Sequence, residues 1–189
     1  DVGVEARHTV VGALGVVLIA VAPDIAVHIR GAEDGDVLVL TDAGPYISTA
    51  GSDDYTMLVK NLTIKAADGI DPVIKLEVPF RSSGGKSVKF IGITFDGTSL
   101  TAYDFYFRFY DNADNLEFED CEFKNISKYI FDVYTGKSAN SLKLTNCKLH
   151  DNSSRGLLNR GTLNYLEING GEIYNFTGYP VLDNYDGAM

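Results

Sequence analysis

The sequence has no tryptophan, three histidines and only 16 basic residues against 26 acidic ones. Without tryptophan the strongest stacking side chain is missing, although 11 tyrosines and 10 phenylalanines remain. The net charge of −10 repels phosphate backbones and anionic bilayers, so nucleic acid and membrane surfaces are poor partners. His8, His28 and His150 lie too far apart in sequence for a zinc or dyad spacing. A membrane-spanning run is also missing. The longest apolar stretch, Val10 to Ala22, is about 13 residues, short of the roughly 20 a bilayer needs. Its β-branched centre, Val16-Val17-Leu18-Ile19, followed by Pro23, predicts a buried strand rather than the core of a targeting segment.

What the sequence does have is a repeat. The pattern apolar, charged, apolar, two turn-like residues, apolar, polar, apolar appears as VKFIGITF from Val88 and LEFEDCEF from Leu116. It returns as LKLTNCKL from Leu142 and LEINGGEI from Leu166, with shorter copies from Val37 and Leu62. These anchors are 24–28 residues apart. Alternation marks strands, because successive side chains point to opposite faces. The period is too long for a meander and carries no amphipathic helix, which excludes leucine-rich and helical solenoids.

Stacking the copies gives the register. Inward columns read Val88/Leu116/Leu142/Leu166, Phe90/Phe118/Leu144/Ile168, Ile93/Cys121/Cys147/Gly171 and Phe95/Phe123/Leu149/Ile173. Outward columns read Lys89/Glu117/Lys143/Glu167 and Thr94/Glu122/Lys148/Glu172. Charge alternates in sign along the first at every step and along the second after its neutral Thr94, as expected where parallel neighbours sit about 4.8 Å apart. Gly92, Glu119-Asp120, Asn146 and Gly170 form one turn column, and Gly97, Asn125, Asp151 and Asn175 another, with stacked Asn expected to bond backbone along the ladder. Three of the four Asn-x-Ser/Thr sequons (from Asn61, Asn125, Asn152 and Asn175) fall at this second turn, where turn chemistry explains them. A third strand is led by Phe131, Leu157 and Val181.

The sequence therefore predicts an all-β chain: a single-stranded right-handed parallel β-helix of about six coils of 24–28 residues, with a short N-terminal capping helix. Residues 1–34 would hold an N-terminal strand and that helix, opened by Asp24 as N-cap and closed near Gly31. Residues 35–189 would form the coils. No comparable cap is visible at the C-terminal end, which points to further domains of a longer chain. Cys121 and Cys147 stack on adjacent coils at a separation a disulfide could span. They replace apolar core residues, however, which favours buried reduced thiols.

The segment Gly35-Asp36-Val37-Leu38-Val39-Leu40, followed by Gly44-Pro45-Tyr46, resembles the opening coil of pectate-lyase-like β-helix proteins, nearest the chondroitinase B and alginate-lyase branch. The later coils resemble a domain family of unknown function in surface polysaccharide-handling proteins of gut bacteria. The resemblance implies an extracellular or bacterial cell-surface protein with a polysaccharide or oligosaccharide partner, its binding groups on one outer face of central coils. Third-strand alignment supplies them: Arg108, Tyr110, Asp132, Tyr134 and Arg160. Tyr110/Tyr134/Arg160/Asn184 would share one column and Arg108/Asp132/Leu158 the next. Tyrosine rings would stack on sugars and Arg would engage acidic groups. The plainer reading of the same residues is a solvated sheet face with an Arg108–Asp132 pair. In Tyr103 to Tyr110, Phe105, Phe107 and Phe109 would point inward, leaving Tyr106, Arg108 and Tyr110 outside.

No stretch matches the lyases' catalytic Lys and Arg motifs, so no catalytic residue is assigned. No cofactor is required; Ca²⁺ through Asp111-Asn112-Ala113-Asp114-Asn115 is the one conceivable ion. The expected function is a non-catalytic carbohydrate-associated binding or scaffold domain. The alternatives are a polysaccharide lyase, or a degenerate relative, acting on a uronate-containing glycan, and a structural spacer of a surface adhesin.

Overall fold

The structure, a computed structural model, describes residues 9–10, 15–19, 24–49 and 54–188. His8 and most of the flanks of the Val16–Ile19 strand lie outside them. Three sheets wind around one core. The first runs through Thr9–Val10, Val16–Ile19, Val37–Leu40, Leu62–Ala66, Ser87–Ile91, Asp114–Glu119, Ser138–Thr145 and Thr162–Asn169. The second stacks Tyr46–Ser48, Val73–Leu76, Thr94–Asp96, Glu122–Lys124, Lys148–Asn152 and Glu172–Phe176. The third stacks Thr56–Leu58, Phe80–Ser82, Phe105–Phe109, Tyr129–Val133, Leu157–Asn159 and Leu182–Asp183. Every pairing is parallel except that of Thr9–Val10 with Val16–Ile19.

The inward columns stack as the repeat predicts, with Phe90, Phe118, Leu144 and Ile168 level on successive coils. Aromatic rings fill the middle. Phe90 lies flat on Phe118 at 5.2 Å, Phe95 on Phe123 at 5.1 Å and Phe80 on Phe107 at 5.0 Å. Between these stacks the rings meet edge to face, as Phe95 and Phe107 do at 89°. Each such contact contributes roughly 0.5–1.5 kcal/mol beyond burial.

Helix Ile25–Gly31 opens on Asp24, whose carboxylate accepts from the Ala26 N–H at 2.9 Å. It buries Ile25, Ala26 and Ile29 against the edge strands Tyr46–Ser48 and Thr56–Leu58. Strand Val16–Ile19 meanwhile pairs in parallel with Val37–Leu40. The first sheet's ladder thus already includes this early strand, and the helix covers the first edges of the other two sheets.

Five details differ from the sequence reading. Val37 stands level with Thr63, so Leu38 and Leu40 point inward and the first anchor falls at Asp36. Leu182, rather than Val181, is level with Leu157, because the last coil carries one more residue in the turn before it. Asn184 consequently meets the Asn159 amide at 2.8 Å rather than lying beyond Arg160. Turn asparagines bond the carboxylate of the coil below rather than backbone: Asn146 donates to Asp120 at 2.6 Å and Asn175 to Asp151 at 2.9 Å. Finally, Tyr106 is fully buried, its hydroxyl donating to the Gly97 carbonyl. A Cβ on Gly97 would meet that hydroxyl at 2.5 Å, so the glycine makes room for the ring. Phe105 sits instead beside Tyr55 and Tyr103, outside the core cluster.

The charge columns are partly realised. Lys89 bridges Glu117 at 2.8 Å and Glu119 at 2.7 Å. In the second column Glu122 turns to His150 at 2.8 Å and Lys124 at 3.7 Å rather than to Lys148.

Cys121 and Cys147 are buried free thiols in one column. Burial pushes the Cys121 thiol well above its ordinary pKa, holding it in the unreactive protonated form. Alkylation followed by mass measurement without reductant is expected to add no label to the native protein and two after denaturation. Absence of label after denaturation would establish a disulfide.

Candidate functional site

The outer face of the third sheet collects four of the six arginines in the sequence. Parallel register makes one row of Arg81, Arg108, Asp132, Leu158 and Asp183 on successive coils. A second row lies one residue past the strand ends, where Tyr110, Tyr134 and Arg160 each donate a backbone N–H to the coil below. All five residues predicted for the site, Arg108, Tyr110, Asp132, Tyr134 and Arg160, are thereby brought together.

Their roles are not equivalent. Asp132 has no exposed surface. Its Oδ2 accepts from Arg108 Nε at 2.6 Å and from an Arg160 terminal nitrogen at 2.8 Å. Its Oδ1 accepts from Arg160 at 2.8 and 3.1 Å. Four charge-assisted bonds saturate the carboxylate, leaving no lone pair for a sugar hydroxyl. Asp132 therefore pins three coils together.

The aromatic groups form the accessible part. Tyr110 and Tyr134 are half-buried neighbours with ring centroids 5.3 Å apart, inclined at 34°. Arg108 lies 3.4 Å over Phe105 and 4.7 Å from the Tyr134 ring, and Lys137 lies 5.0 Å from Tyr110. Arg81, which the sequence reading did not select, covers the Tyr110 ring at 3.3 Å and approaches Tyr55 at 5.3 Å. Its signal was present in Phe80-Arg81-Ser82, which aligns on Phe107-Arg108-Phe109. At the far end Arg155 pairs with Asp183 and stacks on Tyr179 at 4.0 Å. Among the described residues Arg108 and Arg160 pair with Asp132, and Asp111 lies beside Lys137. The strip is locally basic on an acidic protein.

The acidic loop next to Tyr110 points its groups to separate places. Asp111 accepts from Ser83 Oγ, while Asp114 turns inward to Ser82 Oγ at 3.0 Å and the Lys86 N–H at 3.1 Å. Burial raises the Asp114 pKa. A carboxyl whose folded pKa lies above its unfolded value weakens the fold once ionised, beginning as pH rises through the unfolded value, about 4. Asp114→Asn is accordingly expected to raise Tm at pH 7 and to leave it unchanged near pH 3. An equal shift at both pH values would contradict this.

A second cluster lies on the second sheet. His150 is held between Glu122 Oε1 and Asp151 Oδ2, both at 2.8 Å, and lies flat on Tyr174 at 4.7 Å. Both ring nitrogens are committed, so the imidazole ties Glu122 of one coil to Asp151 of the next.

A family profile described as "Right handed beta helix region" matches residues 48–182. Among curated proteins no match is found. With more than half of the sequence inside that profile and the coils wound as described, the chain belongs to the right-handed beta helix family.

Proposed function

We propose that this domain binds an extended glycan, without catalysis, along the outer face of the third sheet. The observation that carries the reading is the Tyr110–Tyr134 pair on successive coils, flanked by cations. Parallel coils repeat at about 4.8 Å, close to the rise of one sugar residue, so each coil can meet one ring of an extended chain. With Arg81 over the Tyr110 ring and Tyr134 packed beside it, the pair would meet a sugar through ring edges and polar tips. The resemblance of the opening coil to pectate-lyase-like proteins supports the same ligand class. It also supports an extracellular or bacterial cell-surface setting within a longer protein.

The test is calorimetric titration of neutral and acidic oligosaccharides against wild type and a Tyr110→Ala/Tyr134→Ala double variant. Affinity is expected to fall about tenfold or more in the variant, the equivalent of 1.4 kcal/mol per decade. Equal binding by the variant, or none by wild type, would leave the strip a solvated face and the domain a scaffold. Appearance of an unsaturated uronate product would instead make it a lyase.

A further inference from the structure

Among the described residues, three of the four arginines on the third sheet's outer face have a carboxylate partner: Arg108 and Arg160 share Asp132, and Arg155 holds Asp183. Arg81 has none. It stands in the same row, level with Arg108, yet among the described residues its guanidinium lies against the Tyr110 and Tyr55 rings and pairs with no carboxylate. Its Nε is buried with no hydrogen-bond partner, and its terminal nitrogens make no protein hydrogen bond among the described residues. An arginine whose Cζ sits 3.3 Å over the Tyr110 ring is already positioned. What it lacks is an acceptor.

We infer that Arg81 is an anion subsite, with its terminal nitrogens presented to a two-oxygen group, a carboxylate or a sulfate ester, on the ligand. This rests on the glycan-binding reading and makes it narrower: the ligand is a charged glycan, anchored at the Arg81 coil and running over Tyr110 towards Tyr134. Three features agree. The guanidinium fork matches two oxygens in one plane. Stacking on Tyr110 keeps the cation beside the Tyr110–Tyr134 pair. Lys137, 5.0 Å from that ring, adds a second positive charge beside it. Asp132 cannot compete for Arg81, because its four acceptor positions are already filled. The overall charge of −10 slows approach of any polyanion.

The experiment compares three probes on the intact chain by calorimetry: an oligogalacturonate, its fully methyl-esterified form, and a carrageenan oligomer carrying sulfate but no carboxylate. In wild type the free acid, the sulfate ester or both bind about tenfold more tightly than the methyl ester, and the preferred one identifies the anion. In Arg81→Gln that ratio falls to about one. Arg81→Lys keeps the cation without the planar fork and retains only part of the ratio. Lys143→Gln, the same charge change on the first sheet, keeps the full ratio. Melting curves show that each variant is folded. A wild-type ratio near one with measurable methyl-ester binding overturns the subsite and leaves the glycan reading standing, as does a ratio unchanged in Arg81→Gln. If no probe binds, both fall.

Discussion

Phe118→Ala is expected to lower the free energy of unfolding by about 3–5 kcal/mol. Phe118 has no exposed surface and its ring meets Phe90, Phe95, Phe107, Phe123 and Phe131 at centroid distances of 5.0–6.0 Å. All three sheets and two consecutive coils contribute to that contact set. Removing the ring opens a cavity that parallel coils cannot close, because their spacing is set by backbone hydrogen bonds. Urea unfolding should show a lower midpoint with little change in slope. A loss under about 1 kcal/mol would mean that the coils can move together to refill the space.

Asp132→Ala is the second large effect, about 3 kcal/mol. The substitution removes four charge-assisted bonds at once and leaves Arg108 and Arg160 without a counter-ion. The cost stays at the lower end for a buried pair because the arginine side chains keep 14 and 27% of their surface in water. Chemical denaturation in low and high salt checks it. An effect below 1 kcal/mol, or one abolished by salt, would identify the network as an ordinary surface pair.

How much of this could be read from the sequence depended on contrast between neighbouring positions. Where apolar and charged residues alternate strictly, as in Val88-Lys89-Phe90 or Leu142-Lys143-Leu144, the register is unambiguous and the structure agrees. Val37-Leu38-Val39-Leu40 is apolar throughout, so its alternation carries no phase, and the reading slipped by one residue. Tyr106 was misplaced because a tyrosine can be buried once its hydroxyl finds an acceptor, and the acceptor, Gly97, lies nine residues away across a turn. The five site residues came together because column arithmetic works in the third sheet as in the first. Arg81 was equally legible, since Phe80-Arg81-Ser82 stands one coil below Phe107-Arg108-Phe109. That Asp132 is sealed by two arginines depends on side-chain paths that a one-letter pattern does not contain.

The hydrogen bonds between coils all run along the length of the molecule, from each strand to the one stacked above it. A tensile load applied between the two ends therefore acts along these bonds, one coil after another, instead of shearing many strands at once. Coils would peel off singly, each releasing about 25 residues of slack, roughly 80 Å of extended chain. Under force the domain would behave as a ratcheted extensible tether, yielding in small equal steps. The same ladder resists sideways bending, where all three sheets share the strain.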